Sequence, residues 1–187
     1  MKKIIVLALI LSLQVNAVAA EKKVIYDFEG VKSAAEWSVS KEGKLELSTE
    51  NATSGKKSLK VTLPVAEYPG FSLNIPKGKT IDWSKFDYLK MDIYTASEEG
   101  FTFEIRIDDD QSKSEEPDDV FGTWSSTSKT AQQGKQTIDV DLTLLNTNDK
   151  TRQVNLNKIT KFTVFMLGNS AKTPQILFID NIRLEKD

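Results

Sequence analysis

The sequence feature that most constrains the fold is the apolar run near the end of the chain, Gln175 to Leu184, which reads QILFIDNIRL. The run is short and rich in β-branched residues, which favours a buried strand over a helix. Its apolar residues do not follow one simple alternation, and Asp180 lies among them. A carboxylate that loses its water in such surroundings needs a partner charge, several hydrogen-bond donors or a metal ion.

A second short apolar run, Val24 to Tyr26, is followed closely by Asp27 and Glu29. We expect the first and last strands to lie close together, with Asp27 or Glu29 facing Asp180. Clustered carboxylates without a nearby His or Cys are typical of a site for a hard cation. The sequence therefore predicts a calcium site at this point.

Residues 1–20 have the pattern of a secretory signal peptide, with Lys2 and Lys3 before an apolar run and small residues at Ala17–Ala20. A transmembrane anchor is the alternative, but the apolar run is too short to span a bilayer. The chain has no Cys that could carry a lipid anchor. We therefore expect a secreted or periplasmic bacterial protein without a membrane anchor, whose domain covers residues 21–187.

The net charge and the length of the chain restrict its possible partners and its number of domains. The net charge of the whole chain is −2, and removal of the two signal lysines makes it more acidic, which argues against a nucleic-acid partner. The remaining length suits one domain. Without Cys, an exported domain has no disulfides, so its stability depends on a hydrophobic core, to which a bound metal could add.

Apolar residues at every second position recur along the chain, with turn residues between the runs. Leu59, Val61 and Leu63 share one face, and so do Phe101, Phe103, Ile105 and Ile107 in a later run. Repeated half-buried strands at this spacing indicate an all-β fold, a two-sheet antiparallel β-sandwich.

Residues 108–119 read DDDQSKSEEPDD and carry seven acids and one Lys. The simple interpretation is a solvated loop kept open by repulsion between its charges. A second calcium site, or the rim of a site for a polyhydroxylated ligand, is the alternative. The spacing does not match an EF-hand loop, because the required glycine and terminal Glu are missing.

Four motifs together resemble a known family. DFEGV followed by Trp37, then SGKKSLKVTLP, DWSKFDYLKMDIY and FIDNIRL, in that order, are similar to the non-catalytic carbohydrate-binding modules of the galactose-binding-like, jelly-roll type, above all family 11. The similarity covers nearly all of residues 24–184. It implies a two-sheet jelly roll with a structural calcium and a concave sheet or cleft that holds a glycan chain, with a β-glucan as the expected ligand. Related sandwich domains bind no sugar, so the fold does not settle the function.

The resemblance also implies metal ligands. Asp27 and Glu29 match the acidic first strand of these modules, and Asp180 matches the acid of the last strand. The turn before Ser58 would supply carbonyl oxygens, from Thr53 and Lys56. The alternative is that turn amides or Lys57 satisfy Asp180 without a metal.

For the sugar, the resemblance points to two aromatic residues and one base. Tyr68 and Trp124 lie where these modules carry aromatic side chains that stack on sugar rings, and Arg152 lies in the loop that supplies a basic residue. Leu167 stands where an aromatic residue is expected. Burial in the core is the alternative for Trp124, and partial cover of the core is the alternative for Tyr68.

The polar faces of two central runs add Glu104 and Arg106, with Asp92 and Tyr94 on the preceding run. If these residues are adjacent, they form either an exposed surface of cross-strand pairs or a concave surface that binds hydroxyl groups. Trp37 and Trp83 are interpreted as structural.

Three functions remain at this stage. The first is a glycan-binding domain, which would act beside a secreted glycan-degrading enzyme or complex. The second is an enzyme, but the absence of His and Cys removes the common nucleophile–base pairs and leaves only carboxylate pairs such as Glu104 with Asp108 or Asp139 with Asp141. The third is an extracytoplasmic interaction or scaffold domain of the same fold without a sugar ligand.

Overall fold

A computed structural model describes residues 21–30, 34–113, 122–168 and 172–187. The predicted signal peptide and positions 114–119 of the acidic run lie outside these residues. The described strands are β1 (Lys22–Tyr26), β2 (Trp37–Val39), β3 (Lys44–Ser48), β4 (Ser58–Leu63), β5 (Gly70–Asn74), β6 (Tyr88–Thr95), β7 (Phe101–Asp109), β8 (Ser125–Ala131), β9 (Gly134–Asp141), β10 (Ile159–Phe165) and β11 (Gln175–Glu185). A 3₁₀ turn at Leu156–Lys158 precedes β10.

The strands form two antiparallel sheets. Sheet 1 has the order β3-β4-β11-β6-β9, and β1 also pairs with β11. Sheet 2 has the order β2-β5-β10-β7-β8. The prediction of an all-β, two-sheet antiparallel sandwich of the jelly-roll type is confirmed.

The two sheets face each other across one apolar core, as the alternation in the sequence requires. Leu59, Val61 and Leu63 of β4 point inward, as do Phe103 and Ile105 of β7, and all five are buried. The residues between them on the outer faces are polar. Among the described residues, no helix is both long and apolar enough to cross a bilayer.

β11 is the central strand of sheet 1. Its first half pairs with β4 and its second half pairs with β1, while β6 runs along its other side. The register shifts between Asp180 and Arg183, and Asn181 takes a positive φ of 49°. This bulge explains the irregular alternation in the sequence, because it lets Ile179 and Ile182 both face the core.

Trp37 and Trp83 are core residues, as predicted. They are 5% and 1% exposed, and each ring meets Phe162 edge-on, with centroids 5.8 and 6.3 Å apart. Both rings pack on the core side of sheet 2, so neither of them occupies its outer face.

Candidate functional site

The predicted calcium ligands lie around the turn at residues 51–57 and the middle of β11. β1 and β11 pair side by side, as expected. Asp180 is 1% exposed, and its Oδ2 accepts from the backbone N–H groups of Thr53 and Ser54 at 2.6 and 2.8 Å. Its Oδ1 accepts from the N–H of Asn181 at 2.7 Å. The alternative in which turn amides satisfy this carboxylate is therefore the arrangement in the structure.

Glu29 is held in the same way. Its Oε1 accepts from the backbone N–H groups of Lys56 and Lys57, both at 2.7 Å, and its carbonyl oxygen accepts from Nζ of Lys57 at 3.2 Å. Gly55 allows this close approach, because a Cβ at that position would lie 2.5 Å from the Glu29 carboxylate. Its φ of 69° also suits glycine.

These donors do not fit a calcium ion. Both Thr53 and Lys56 direct N–H groups at the carboxylates, and N–H groups repel a cation, while metal binding by the carbonyl oxygens of these two residues stays a prediction. Asp27 is exposed and accepts from the N–H of Glu29 within its own turn. Within the described ranges, no three acidic side chains lie close enough to share a metal. Calcium binding by this chain stays a prediction.

Asp92 belongs to a neighbouring network on the outer face of sheet 1. Its carboxylate accepts from the Thr53 hydroxyl at 2.7 Å, from the Asn181 amide at 2.9 Å, and from Arg183 and Thr137 at 2.9 and 2.8 Å. Burial alone would raise the pKa of Asp92, but these donors outweigh it and hold the pKa below its ordinary value. Asp92 and Glu104 are not adjacent, because β6 and β7 lie in different sheets, so the condition for one shared polar surface is not met.

The second group lies on the outer face of sheet 2, in a cleft of about 910 Å³. We call this site the cleft. Four of the five predicted ligand residues line it, and the whole lining is Ser38, Val39, Ser40, Tyr68, Gly70, Ser72, Glu104, Arg106, Trp124, Ser126, Asn148, Lys161, Thr163, Phe165 and Leu167.

The floor of the cleft is a row of polar side chains that crosses all five strands. Ser38 pairs with Ser72, Ser72 with Thr163, Thr163 with Arg106, and Arg106 with Ser126. The hydroxyls of Ser72 and Thr163 are 2.8 Å apart. This row presents hydroxyl groups, which can both donate to and accept from the hydroxyl groups of a ligand, and one guanidinium group, which can only donate to them.

One end of the cleft carries an aromatic pair. Tyr68 is 59% exposed and meets Phe165 edge-on, with centroids 6.5 Å apart. Phe165 lies over Gly70, where a Cβ would come within 2.6 Å of the Cβ of Phe165. Sequence reasoning missed Phe165 and looked for its aromatic ring at Leu167, two residues later on the same face. The signal was present, because Phe165 falls on the polar side of the alternation Phe162, Val164, Met166.

The other end carries Trp124 and Arg106. The guanidinium carbon of Arg106 lies 3.7 Å from the Trp124 ring centroid, and Asp108 accepts from both Nε and Nη2 of the same side chain. Arg106 is thereby fixed by a stacking contact and a two-pronged ion pair. This contact covers one face of Trp124. The ring therefore positions Arg106 and also lines the cleft.

Arg152 does not line the cleft. Its guanidinium binds both oxygens of Asp109, whose side chain is 0% exposed, and also donates to the carbonyl of Thr123. Burial alone would raise the pKa of Asp109, but Arg152 and the N–H groups of Asn155 and Gln111 hold it below its ordinary value. The prediction of Arg152 as a sugar ligand is corrected to a structural role.

The described part of the acidic run is paired with bases. Asp108 binds Arg106, Asp109 binds Arg152 and Asp110 binds Lys158. The beginning of the run is therefore not a loop kept open by repulsion. Asp108 is also 2% exposed, so its ion pair with Arg106 is largely shielded from water.

Comparison with known proteins supports the fold. No family model matches the sequence, and no curated protein shows significant sequence similarity to it. Among solved structures, the family 11 carbohydrate-binding module of the cellulosomal cellulase Lic26A-Cel5E of Clostridium thermocellum is 19% identical, with a TM-score of 0.60. The match covers 89% of this chain and 95% of that one. The solution structure of CtCBM11 is 22% identical over 91% of this chain and 98% of that one, with a TM-score of 0.63.

An exo-β-agarase structure also matches, at 18% identity and a TM-score of 0.66 over 88% of this chain. This chain spans only a quarter of the agarase chain. The two module structures, by contrast, match over nearly the full length of both chains. The resemblance to family 11 modules is confirmed as a likeness of fold.

Proposed function

We propose that this chain is a non-catalytic, exported domain that binds a neutral, β-glucan-like polysaccharide chain in the cleft on sheet 2. The observation that carries the proposal is the row of hydroxyl and guanidinium groups across the sheet, with exposed aromatic rings at one end. Sugar rings offer apolar C–H faces to aromatic rings and hydroxyl groups to polar side chains, so both halves of the cleft have a matching partner.

The similar structures agree with this ligand class. One of them is a family 11 module from Clostridium thermocellum in complex with a β-1,3-1,4-mixed-linked tetrasaccharide. Others belong to agarases, so a test must include agarose beside β-glucans. The proposal also includes export of the domain by residues 1–20. The exported domain would then act beside a glycan-degrading enzyme.

The aromatic pair provides the test. Affinity electrophoresis in gels containing mixed-linked β-1,3-1,4-glucan, cellulose derivatives or agarose should retard the wild type in at least one gel. Tyr68→Ala and Phe165→Ala should each lower the affinity about fivefold, because one aromatic contact is worth about 1 kcal/mol. Val65→Ala is the matched control, since Val65 is 52% exposed but does not line the cleft.

Two results would count against the proposal. If no glycan retards the wild type, the domain is an interaction or scaffold domain, whose contact surface would include the exposed residues Val65, Tyr68 and Leu167. If a glycan retards the wild type and both aromatic variants equally, the glycan binds elsewhere. Release of reducing sugar by the purified protein would overturn the non-catalytic assignment.

A further inference from the structure

A second groove lies beside the cleft, at the edge of the sandwich between β8 and residues 142–150. It has a volume of about 890 Å³, within the size range of about 300–1,000 Å³ that is typical of ligand sites. Hydroxyl and amide side chains dominate its lining; Thr127 and Asn146 are accessible, whereas Ser125 and Thr147 are 4% and 1% exposed and support the wall from behind. We call this site the edge groove.

The cleft and the edge groove adjoin each other. Ser126 and Asn148 line both of them. Oδ1 of Asn148 accepts from the N–H of Ser126 at 2.9 Å, and its Nδ2 donates to the Ser126 hydroxyl at 3.2 Å. The N–H of Asn148 donates to the carbonyl of Trp124 at 2.7 Å, which ties the passage between the two sites to the Trp124 end of the cleft. These bonds fix the two residues that form the boundary between the cleft and the edge groove.

The edge groove also has the mixed chemistry that a sugar chain requires. Leu144 is 70% exposed and offers an apolar contact for the C–H face of a sugar ring. Lys129 and Lys150 supply ammonium donors for hydroxyl groups. Asp141 is already bonded to the N–H and hydroxyl of Thr143, at 2.8 and 2.6 Å, so it does not neutralise the lysines by a direct bond in the structure.

We propose that the edge groove is an extension of the cleft, which binds the next sugar residues of the same glycan chain after it passes Ser126 and Asn148. This inference rests on the proposed function, because it requires a glycan in the cleft. It adds that the domain binds a longer stretch of the chain than the cleft alone can hold, and that two adjoining surfaces share this binding.

Titration calorimetry with two ligands tests the extension. The probes are a β-1,3-1,4-mixed-linked tetrasaccharide and an oligosaccharide about twice as long from the same glucan. The wild type should bind the longer probe about fivefold more tightly, and the double variant Leu144→Ala/Lys150→Ala should lose this gain while it binds the tetrasaccharide as the wild type does. Both side chains are exposed, so the variant should fold. Lys77→Ala is the matched control, an exposed lysine that lines neither site.

The outcomes separate the two proposals. If both probes bind the wild type equally, or the double variant keeps the gain from the longer probe, the extension is wrong and the glycan-binding cleft stands. If neither probe binds the wild type, β-glucan binding in the cleft is wrong, and the extension is overturned with it.

Discussion

Removal of the Asp180 carboxylate tests how the two ends of the chain are held together. Asp180→Ala leaves the N–H groups of Thr53, Ser54 and Asn181 without their acceptor. A buried donor without a partner costs about 1–3 kcal/mol, and water that enters from the partly exposed turn recovers part of this. We expect the free energy of unfolding to fall by about 3 kcal/mol, which lowers the melting temperature by roughly 6–12 °C in a domain of this size.

The assay is thermal and urea unfolding in buffer with calcium and in buffer with a chelator. Asp139→Ala, which removes an exposed acid on neighbouring β9, is the control and should change stability by less than about 0.5 kcal/mol. Because N–H groups already satisfy Asp180 and Glu29, the wild type should melt at the same temperature in both buffers. If calcium raises the melting temperature of the wild type but not that of Asp180→Ala, the calcium prediction from the sequence is right and our interpretation of these donors is wrong.

Two further predictions concern Asp109 and its partner. Arg152→Ala should lower the free energy of unfolding by about 3 kcal/mol, because it leaves a buried carboxylate without its cation. The affinity for a glycan should not change. A loss of affinity in the folded variant would show that Arg152 takes part in glycan binding. The folded-state pKa values of Asp92 and Asp109 lie below the ordinary value of 3.8, so the stability they contribute is complete above that pH and is lost as the pH falls through the folded values. Urea unfolding at a series of pH values should show this loss in the wild type and a smaller one in Arg152→Ala, and equal acid dependence would contradict the role of the pair.

The strands and the core could be predicted from the sequence because alternation reports burial directly. Leu59, Val61 and Leu63 behave as their spacing predicts. Even the broken alternation around Asp180 was informative, since it marks the bulge in β11. The proximity of the first and last strands was expected from the acids in both runs, and β1 does pair with β11.

The direction of backbone groups could not be predicted in this way. Whether Thr53 and Lys56 present a carbonyl or an N–H depends on the dihedral angles of the turn, including the positive φ of Asn51 and Gly55. No residue pattern in the turn specifies that orientation. The sequence therefore pointed to the turn that contacts Asp180 and Glu29, but not to the N–H groups that make the contacts.

Long-range partners were the other limit. Arg152 binds Asp109 on a different strand, and Arg106 stacks on Trp124, and neither contact follows from spacing along the chain. Phe165 could not be assigned to the cleft from its position on the polar face alone. That assignment depends on its contacts with Tyr68 and Gly70, which only the structure shows. Residue types alone pointed to Tyr68, Trp124, Glu104 and Arg106, whereas the contacts of Phe165 with Tyr68 and of Arg106 with Trp124 became visible only in the packed structure.

The most direct test of the central claim is to locate a bound glycan by NMR. In a ¹⁵N-labelled sample titrated with the β-1,3-1,4-mixed-linked tetrasaccharide, the amide signals of Ser72, Arg106 and Thr163 on the outer face of sheet 2 should shift together and saturate. Signals of Thr62 and Thr137 on sheet 1 should stay in place. Shifts confined to sheet 1, or no shift at a saturating concentration of the tetrasaccharide, would contradict β-glucan binding in the cleft.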